Sequence, residues 1–150
     1  MSPESYRALH TSLAAFIPDD RLITDPLRLL TWGTDASFYR LVPAIAVVVE
    51  TEDEVRRLLA TCASLDTPVT FRAAGTSLSG QAITDSVLLL LGDDGRRCVI
   101  SDDAQFISLQ PGVIGAVANA RLAGRSRKIG PDPASLQAGG AALLVETRAE

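Results

Sequence analysis

The sequence predicts an α+β fold with a β-α-β unit near its centre. Residues 44–49 and 87–91 are continuous apolar runs of strand length, the pattern of strands buried on both faces, and residues 69–72 form a shorter strand between them. A capped helical pattern separates the first run from residues 69–72. Beyond Gly92, two short strand-like stretches at 98–101 and 105–110 precede a second helical stretch at 113–123.

The chain opens with a helical pattern. Ser2 is placed to cap it and Pro3 to occupy its first position, and Tyr6, Leu9, Leu13 and Phe16 recur at helical spacing before Pro18 ends it. Residues 19–43 read as irregular, with Pro26, Gly33 and Pro43 as punctuation and one helical turn near Pro26. After the first strand, Thr51 and Glu54 have the spacing of a capping box, in which each side chain satisfies a main-chain N–H at the helix start. Val55, Leu58, Leu59 and Cys62 form the expected buried face, ending near Ser64. A turn at 66–68 leads to residues 69–72, and strand–helix–strand order implies a parallel pair with a right-handed crossover. Farther on, Asp102 and Asp103 read as a hairpin turn, Pro111-Gly112 as a strand breaker, and Gly124 as the end of the last helix.

The 150 residues suffice for one domain, and 47% hydrophobic against 21% charged residues excludes a disordered chain. A formal charge of −4 argues against a nucleic-acid partner, and the basic cluster at 121–128 reads as a solvated helix end. The apolar runs are too short to span a bilayer, and the start of the chain, with its early Glu4, has no basic segment leading into an apolar one. Cys62 and Cys98 lack CxxC spacing and read as reduced thiols, so a cytoplasmic location is expected. His10 is the only histidine, and neither a nucleophilic triad nor a metal cluster can be assembled around it.

Three segments have the composition of binding loops. Residues 71–81, Phe-Arg-Ala-Ala-Gly-Thr-Ser-Leu-Ser-Gly-Gln, leave a strand and are dense in small residues. Gly75 and Gly80 can reach positive φ, successive N–H groups can form an anion-binding nest, and Thr76, Ser77, Ser79 and Arg72 add hydroxyls and charge suited to a pyrophosphate. The segment is neither a Walker A loop nor GxGxxG, and by composition alone it reads first as a plain Gly/Ser-rich turn joining a strand to the next element. Residues 130–135, Gly-Pro-Asp-Pro-Ala-Ser, read as a rigid loop with Ser135 as a donor, or as a surface turn. Residues 33–40, Gly-Thr-Asp-Ala-Ser-Phe-Tyr-Arg, read as a loop with a local Asp35–Arg40 pair, and Trp32 beside them as an anchor at the core or a subdomain edge.

The order of these segments, with Gln110-Pro111-Gly112-Val113 between the last two, resembles FAD-linked oxidases of the vanillyl-alcohol oxidase and p-cresol methylhydroxylase type. Within them it is most similar to bacterial D-lactate dehydrogenases that fuse a flavin module to an iron–sulfur module. The resemblance runs from about residue 18 to residue 138. It implies an FAD-binding PCMH-type fold in which FAD lies between two α+β subdomains. On that reading residues 1–43 are a lead-in, 44–92 a complete first subdomain (β-α-β), and 93–150 the start of a truncated second one.

The resemblance further implies that Arg72, Ala73, Ala74, Gly75, Thr76, Ser77, Leu78, Ser79, Gly80 and Gln81 wrap the pyrophosphate, that Pro111 and Gly112 contribute to the cofactor site, and that Pro133, Ala134 and Ser135 lie near the flavin. The reaction it implies transfers hydride from C2 of a D-2-hydroxy acid to the flavin. Some relatives tether the flavin through a histidine in the pyrophosphate loop; Gly75-Thr76-Ser77 has none, which implies noncovalent FAD. Beyond Ser135 the sequence departs from the family, and its catalytic residues match nothing here, so no catalytic residue is assigned. The expectation is a truncated FAD-binding piece, inactive alone, binding FAD weakly because one wall of the flavin site is missing. A noncatalytic nucleotide- or pyrophosphate-binding module, or one chain of a split flavoenzyme completed by a second chain, are the alternatives.

Overall fold

The computed structural model describes residues 3–92 and 96–130. The chain divides into two compact units, residues 1–92 and 93–150.

In the first unit, helix α1 (Pro3–Ala14) leads through a single 3₁₀ turn (Asp19–Arg21) to strand β1 (Leu22–Ile23) and the short helix α2 (Pro26–Thr31). Asp25 caps α2 by accepting the Arg28 N–H, with Pro26 at the first turn, where its missing donor costs nothing. Strand β2 (Ile45–Val49), helix α3 (Glu52–Ser64), strand β3 (Val69–Arg72) and strand β4 (Val87–Leu91) follow. The Thr51–Glu54 capping box forms as the sequence predicts. The cap expected from Ser2 lies outside the described residues.

The sheet has the order β1-β2-β4-β3, with β1 antiparallel to β2 and the other pairs parallel. Two expectations change. Residues 19–43, read as irregular, hold β1, a strand of only two residues and too short to carry a period. The strands β2 and β3 are parallel but not neighbours, because β4 stands between them and pairs with both. Burial explains the order: Val87, Leu88 and Leu89 are fully buried and need cover on both faces, whereas β3 leaves Phe71 exposed and takes the edge.

Alternate residues of the central strands feed two cores. On one face Ile45, Val47, Val49, Val87 and Leu89 pack with Leu9, Leu13 and Ile17, and with Leu58 and Cys62 of α3. On the other, Ala46, Leu88 and Leu90 meet Ile23 and Leu29, with Val48 and Trp32 against them. The α1 stripe differs from expectation at its end, where Ile17 is buried and Phe16 only half-buried beneath the Arg57 guanidinium, 4.0 Å from its ring centre. Leu59, expected on the buried face of α3, is exposed, because Leu58 and Cys62 already fill the stripe.

In the second unit, β5 (Cys98–Ile100) and β6 (Ile107–Leu109) form an antiparallel hairpin, shorter than the stretches expected at 98–101 and 105–110. Asp103 shapes its turn by accepting from the Ser101 hydroxyl and the Gln105 N–H. Helix α4 (Gly115–Ala123) packs Ala118 and Leu122 against Cys98, Ile100, Ile107 and Leu109. It starts two residues later than the helix expected at 113–123, since Val113 turns back to Gln110. Arg121 and Arg125 of the basic cluster donate to the Cys98 and Asp102 carbonyls of the hairpin. Gly124 does not close the helix in a left-handed conformation: it stays right-handed at φ −64°, and Ser126 takes φ +54°. Among the described residues, no helix is long and apolar enough to cross a membrane.

Candidate functional site

The glycine-rich loop leaves β3 at Arg72, at the carboxyl end of the parallel strands, where open α/β sheets place their ligands. Gly75 and Gly80 adopt φ +67° and +74°, as the composition predicts. Their neighbours give each a further reason to be glycine. A Cβ on Gly75 would overlap the Arg72 guanidinium, 2.6 Å from its Cζ, and one on Gly80 would lie 3.0 Å from Cδ2 of Tyr39.

Ser77 organises the loop from within. Its Oγ accepts the N–H groups of Ser79 (3.2 Å) and Gln81 (3.1 Å) and donates to Oε1 of Gln81 (3.1 Å). This modifies the expected nest of successive donors, because two N–H groups of the loop are already engaged. The N–H groups of Thr76, Leu78 and Gly80 make no hydrogen bond among the described residues. The side chains of Thr76, Leu78 and Ser79 are exposed. Ala73 is half-buried, Ala74 exposed, and the return segment Ala82, Ile83 and Thr84 is buried.

Arg72 is turned into the protein. Nη1 is shared among the carbonyls of Thr34 (2.8 Å), Ala82 (3.2 Å) and Trp32 (3.3 Å), and the guanidinium lies 5.4 Å from the Trp32 ring centre. Its Nε is buried with no hydrogen-bond partner among the described residues. Burial lowers the Arg72 pKa, opposed by the charge of Asp35. Trp32, expected as an anchor, is thus also a platform under this cation.

Asp35 does not pair with Arg40. Its Oδ1 accepts from the N–H and hydroxyl of Ser37, and its Oδ2 from the N–H of Ala82 at 3.3 Å. Burial pushes this carboxyl up, but the Ser37 and Ala82 hydrogen bonds and the Arg72 charge outweigh that and hold it below the usual range. Arg40 instead faces Thr34 in an isolated antiparallel bridge, so residues 34–40 close on themselves. The Gly75 carbonyl accepts from the Ala36 N–H at 3.0 Å, which ties the two loops together. The Phe38 and Tyr39 rings stack at 4.4 Å, Phe38 mostly in solvent.

Of the residues assigned from the sequence, the fold therefore gathers Arg72 to Gln81 into one loop and sets residues 33–40 against it. Pro111 and Gly112 lie in the second unit, in the turn that Val113 closes by donating to Gln110. Pro133, Ala134 and Ser135 lie outside the described residues. Sequence reasoning singled out residues 33–40 but missed that Asp35 and the carbonyls of Trp32 and Thr34 hold the loop; the signal was the recurrence of both segments in one order, and no residue type marks a carbonyl acceptor.

A model of the FAD binding domain family matches residues 43–147. The glycolate oxidase subunit GlcD of Escherichia coli (strain K12) is 33% identical over 127 residues, covering 83% of this chain and 26% of that protein. Among solved structures, p-cresol methylhydroxylase with substrate bound matches with a TM-score of 0.75 at 14% identity, over 95% of this chain and 30% of that one. An alkyldihydroxyacetonephosphate synthase matches with a TM-score of 0.70 at 18% identity, over 93% and 28%. At those identities the structural likeness is one of fold, while the family match covers most of the sequence: the chain belongs to the FAD-binding domain family and has the mixed α+β fold of its PCMH type.

Proposed function

We propose that this chain is the FAD-binding portion of a flavin-dependent D-2-hydroxy-acid dehydrogenase of the D-lactate type, holding the cofactor noncovalently. The observation that carries the proposal is the exposed loop with two left-handed glycines, whose Thr76, Leu78 and Gly80 N–H groups are free of acceptors among the described residues. Such donors suit a diphosphate, which brings acceptor oxygens on every side. The Thr76 and Ser79 hydroxyls add to that set, while Ser77 keeps the loop in shape. The hydroxy-acid class is supported by the likeness to a glycolate oxidase subunit, glycolate being the simplest 2-hydroxy acid. Noncovalent binding is supported by the absence of histidine from the loop sequence.

Bound FAD would supply the hydride acceptor. The residues of this chain orient it by its pyrophosphate, through main-chain donors that cost little to organise because the loop is already folded. Titration of FAD with the purified chain, followed by flavin fluorescence with ADP as competitor, tests the reading. Saturable quenching reversed by ADP is expected. No quenching at high protein concentration would reject FAD binding by this chain, and equal affinity for ADP and FAD would favour a plain nucleotide module.

A further inference from the structure

We infer that Arg72 and Asp35 form a positioning clamp for the glycine-rich loop, and that Arg72 acts on a bound cofactor through the loop's shape and not as a charge on its phosphates. The cofactor half of this inference rests on the FAD reading; the clamp itself does not.

Arg72 stands at the end of β3, where the chain enters the loop, and its Nη1 reaches the carbonyls of Trp32 and Thr34, at the start of the 34–40 closure, and of Ala82, where the loop ends. One side chain thus ties the loop's entry to its exit and to a segment distant in sequence. Asp35 closes the same circuit from the other side by accepting the Ala82 N–H, so residue 82 is held by its carbonyl through Arg72 and by its N–H through Asp35. The Ala36 N–H then holds the Gly75 carbonyl. Gly75 lies so close over the guanidinium that even a methyl group would displace one or the other. A cation meant for an external phosphate would be left free to meet it; here Nη1 is spent on three carbonyls, Nε is enclosed and Nη2 lies against Gly75. Reach matters as well as the charge, because a lysine side chain is one bond shorter and its ammonium falls short of the position of Nη1.

Amide hydrogen exchange of the full chain without FAD tests the clamp directly. In Arg72→Gln, exchange at Ala36 and Ala82 is expected to rise about tenfold or more, while Val47 and Leu89 in the central strands keep their protection. Arg72→Lys, which keeps the charge and loses the reach to the three carbonyls, is expected to behave like Arg72→Gln. Unchanged exchange at Ala36 and Ala82 in a folded Arg72→Gln chain would overturn the clamp. Should that variant lose protection throughout, Asp35→Asn decides in its place: faster exchange at Ala82 supports the clamp, and unchanged exchange there overturns it.

FAD titration at several salt concentrations separates the cofactor half. The expected result is weaker binding in both Arg72 variants with the salt dependence of the parent chain. A salt slope reduced by about one in Arg72→Gln, with affinity restored in Arg72→Lys, is the signature of a direct phosphate contact and would overturn positioning. If the parent chain fails to bind FAD, the proposed function falls, while the exchange result still decides whether the clamp exists.

Discussion

The guanidinium of Arg21 meets the carboxylate of Glu54 with both terminal nitrogens, at 2.8 and 2.7 Å. It joins the turn before β1 to the first turn of α3, and each side chain is only 15% exposed. Glu54 also accepts the N–H groups of Glu50 and Thr51, so one carboxylate completes the capping box and anchors the ion pair. Arg21 further reaches the Val48 carbonyl and the Glu50 carboxylate.

This pair predicts the acid limb of stability. The Arg21 hydrogen bond, against the opposing cost of burial, holds Glu54 at about 2, below its ordinary 4.5. The folded value is depressed, so its contribution is fully present above the ordinary pKa and is lost as pH falls from there toward 2. Glu54→Gln should lose about 2 kcal/mol at neutral pH and show a flatter stability profile across that window. Urea unfolding of both chains at pH 7 and pH 3 checks it; parallel profiles would reject the assignment.

Among the described residues, two helices end on a left-handed residue that is not glycine. After α3, Thr67 donates to the Cys62 carbonyl and Asp66 to that of Ala63, with Asp66 at φ +48°; after α4, Arg127 donates to Leu122 and Ser126 to Ala123, with Ser126 at φ +54°. Glycine relieves the Cβ strain of that conformation. Asp66→Gly and Ser126→Gly should each stabilise by about 0.5 kcal/mol, read as a small rise in thermal midpoint. A fall would mean the side chains contribute more than the strain costs.

At Gly75 the direction reverses. Gly75→Ala combines a positive φ with overlap of the Arg72 guanidinium, so a loss of about 2 kcal/mol and of FAD binding is expected. Denaturant unfolding and flavin quenching on one preparation check both; an alanine variant of parental stability and affinity would show that the loop adapts.

The two thiols should differ sharply. Cys62 is 1% exposed and burial pushes its pKa up to about 11, whereas Cys98 is half-buried at the hairpin. Labelling of the native chain with a disulfide reagent should modify Cys98 first and reach Cys62 only on unfolding. Early modification of Cys62, located by peptide mapping, would contradict its place in the core.

The parts of this fold written in residue types were legible in the sequence. The apolar runs that became β2 and β4, the Thr51–Glu54 box and the two positive-φ glycines each follow from side-chain chemistry acting over a few neighbours. What escaped reading depends on partners far along the chain. Nothing in residues 69–91 says that β4 lies between β2 and β3, because an apolar run specifies burial and not its neighbours. The Arg72 charge was visible, but its acceptors are main-chain carbonyls, which every residue carries. The expected Asp35–Arg40 pair failed for a related reason: proximity in sequence lost to hydrogen bonds from Ser37 and Ala82 that the folded loop supplies.

The connection between β3 and β4 has a consequence for how the sheet is aligned. Adjacent parallel strands cannot be joined by a tight turn, so the chain must travel back to the starting edge before β4 begins. Here that return is made by residues 73–86, the glycine-rich loop followed by residues 82–86, buried except at Asp85, and the Ser86 carbonyl receives the Ala44 and Ile45 N–H groups. The strand that follows, Val-Leu-Leu-Leu-Leu, is apolar on both sides, so a slip by one residue would meet no polar penalty of its own. The fastening at Ser86, one residue before the strand, then helps hold Val87 opposite Ile45 and Val69. The segment placed to receive a ligand thus ends in the fastening that sets the register of the central strand.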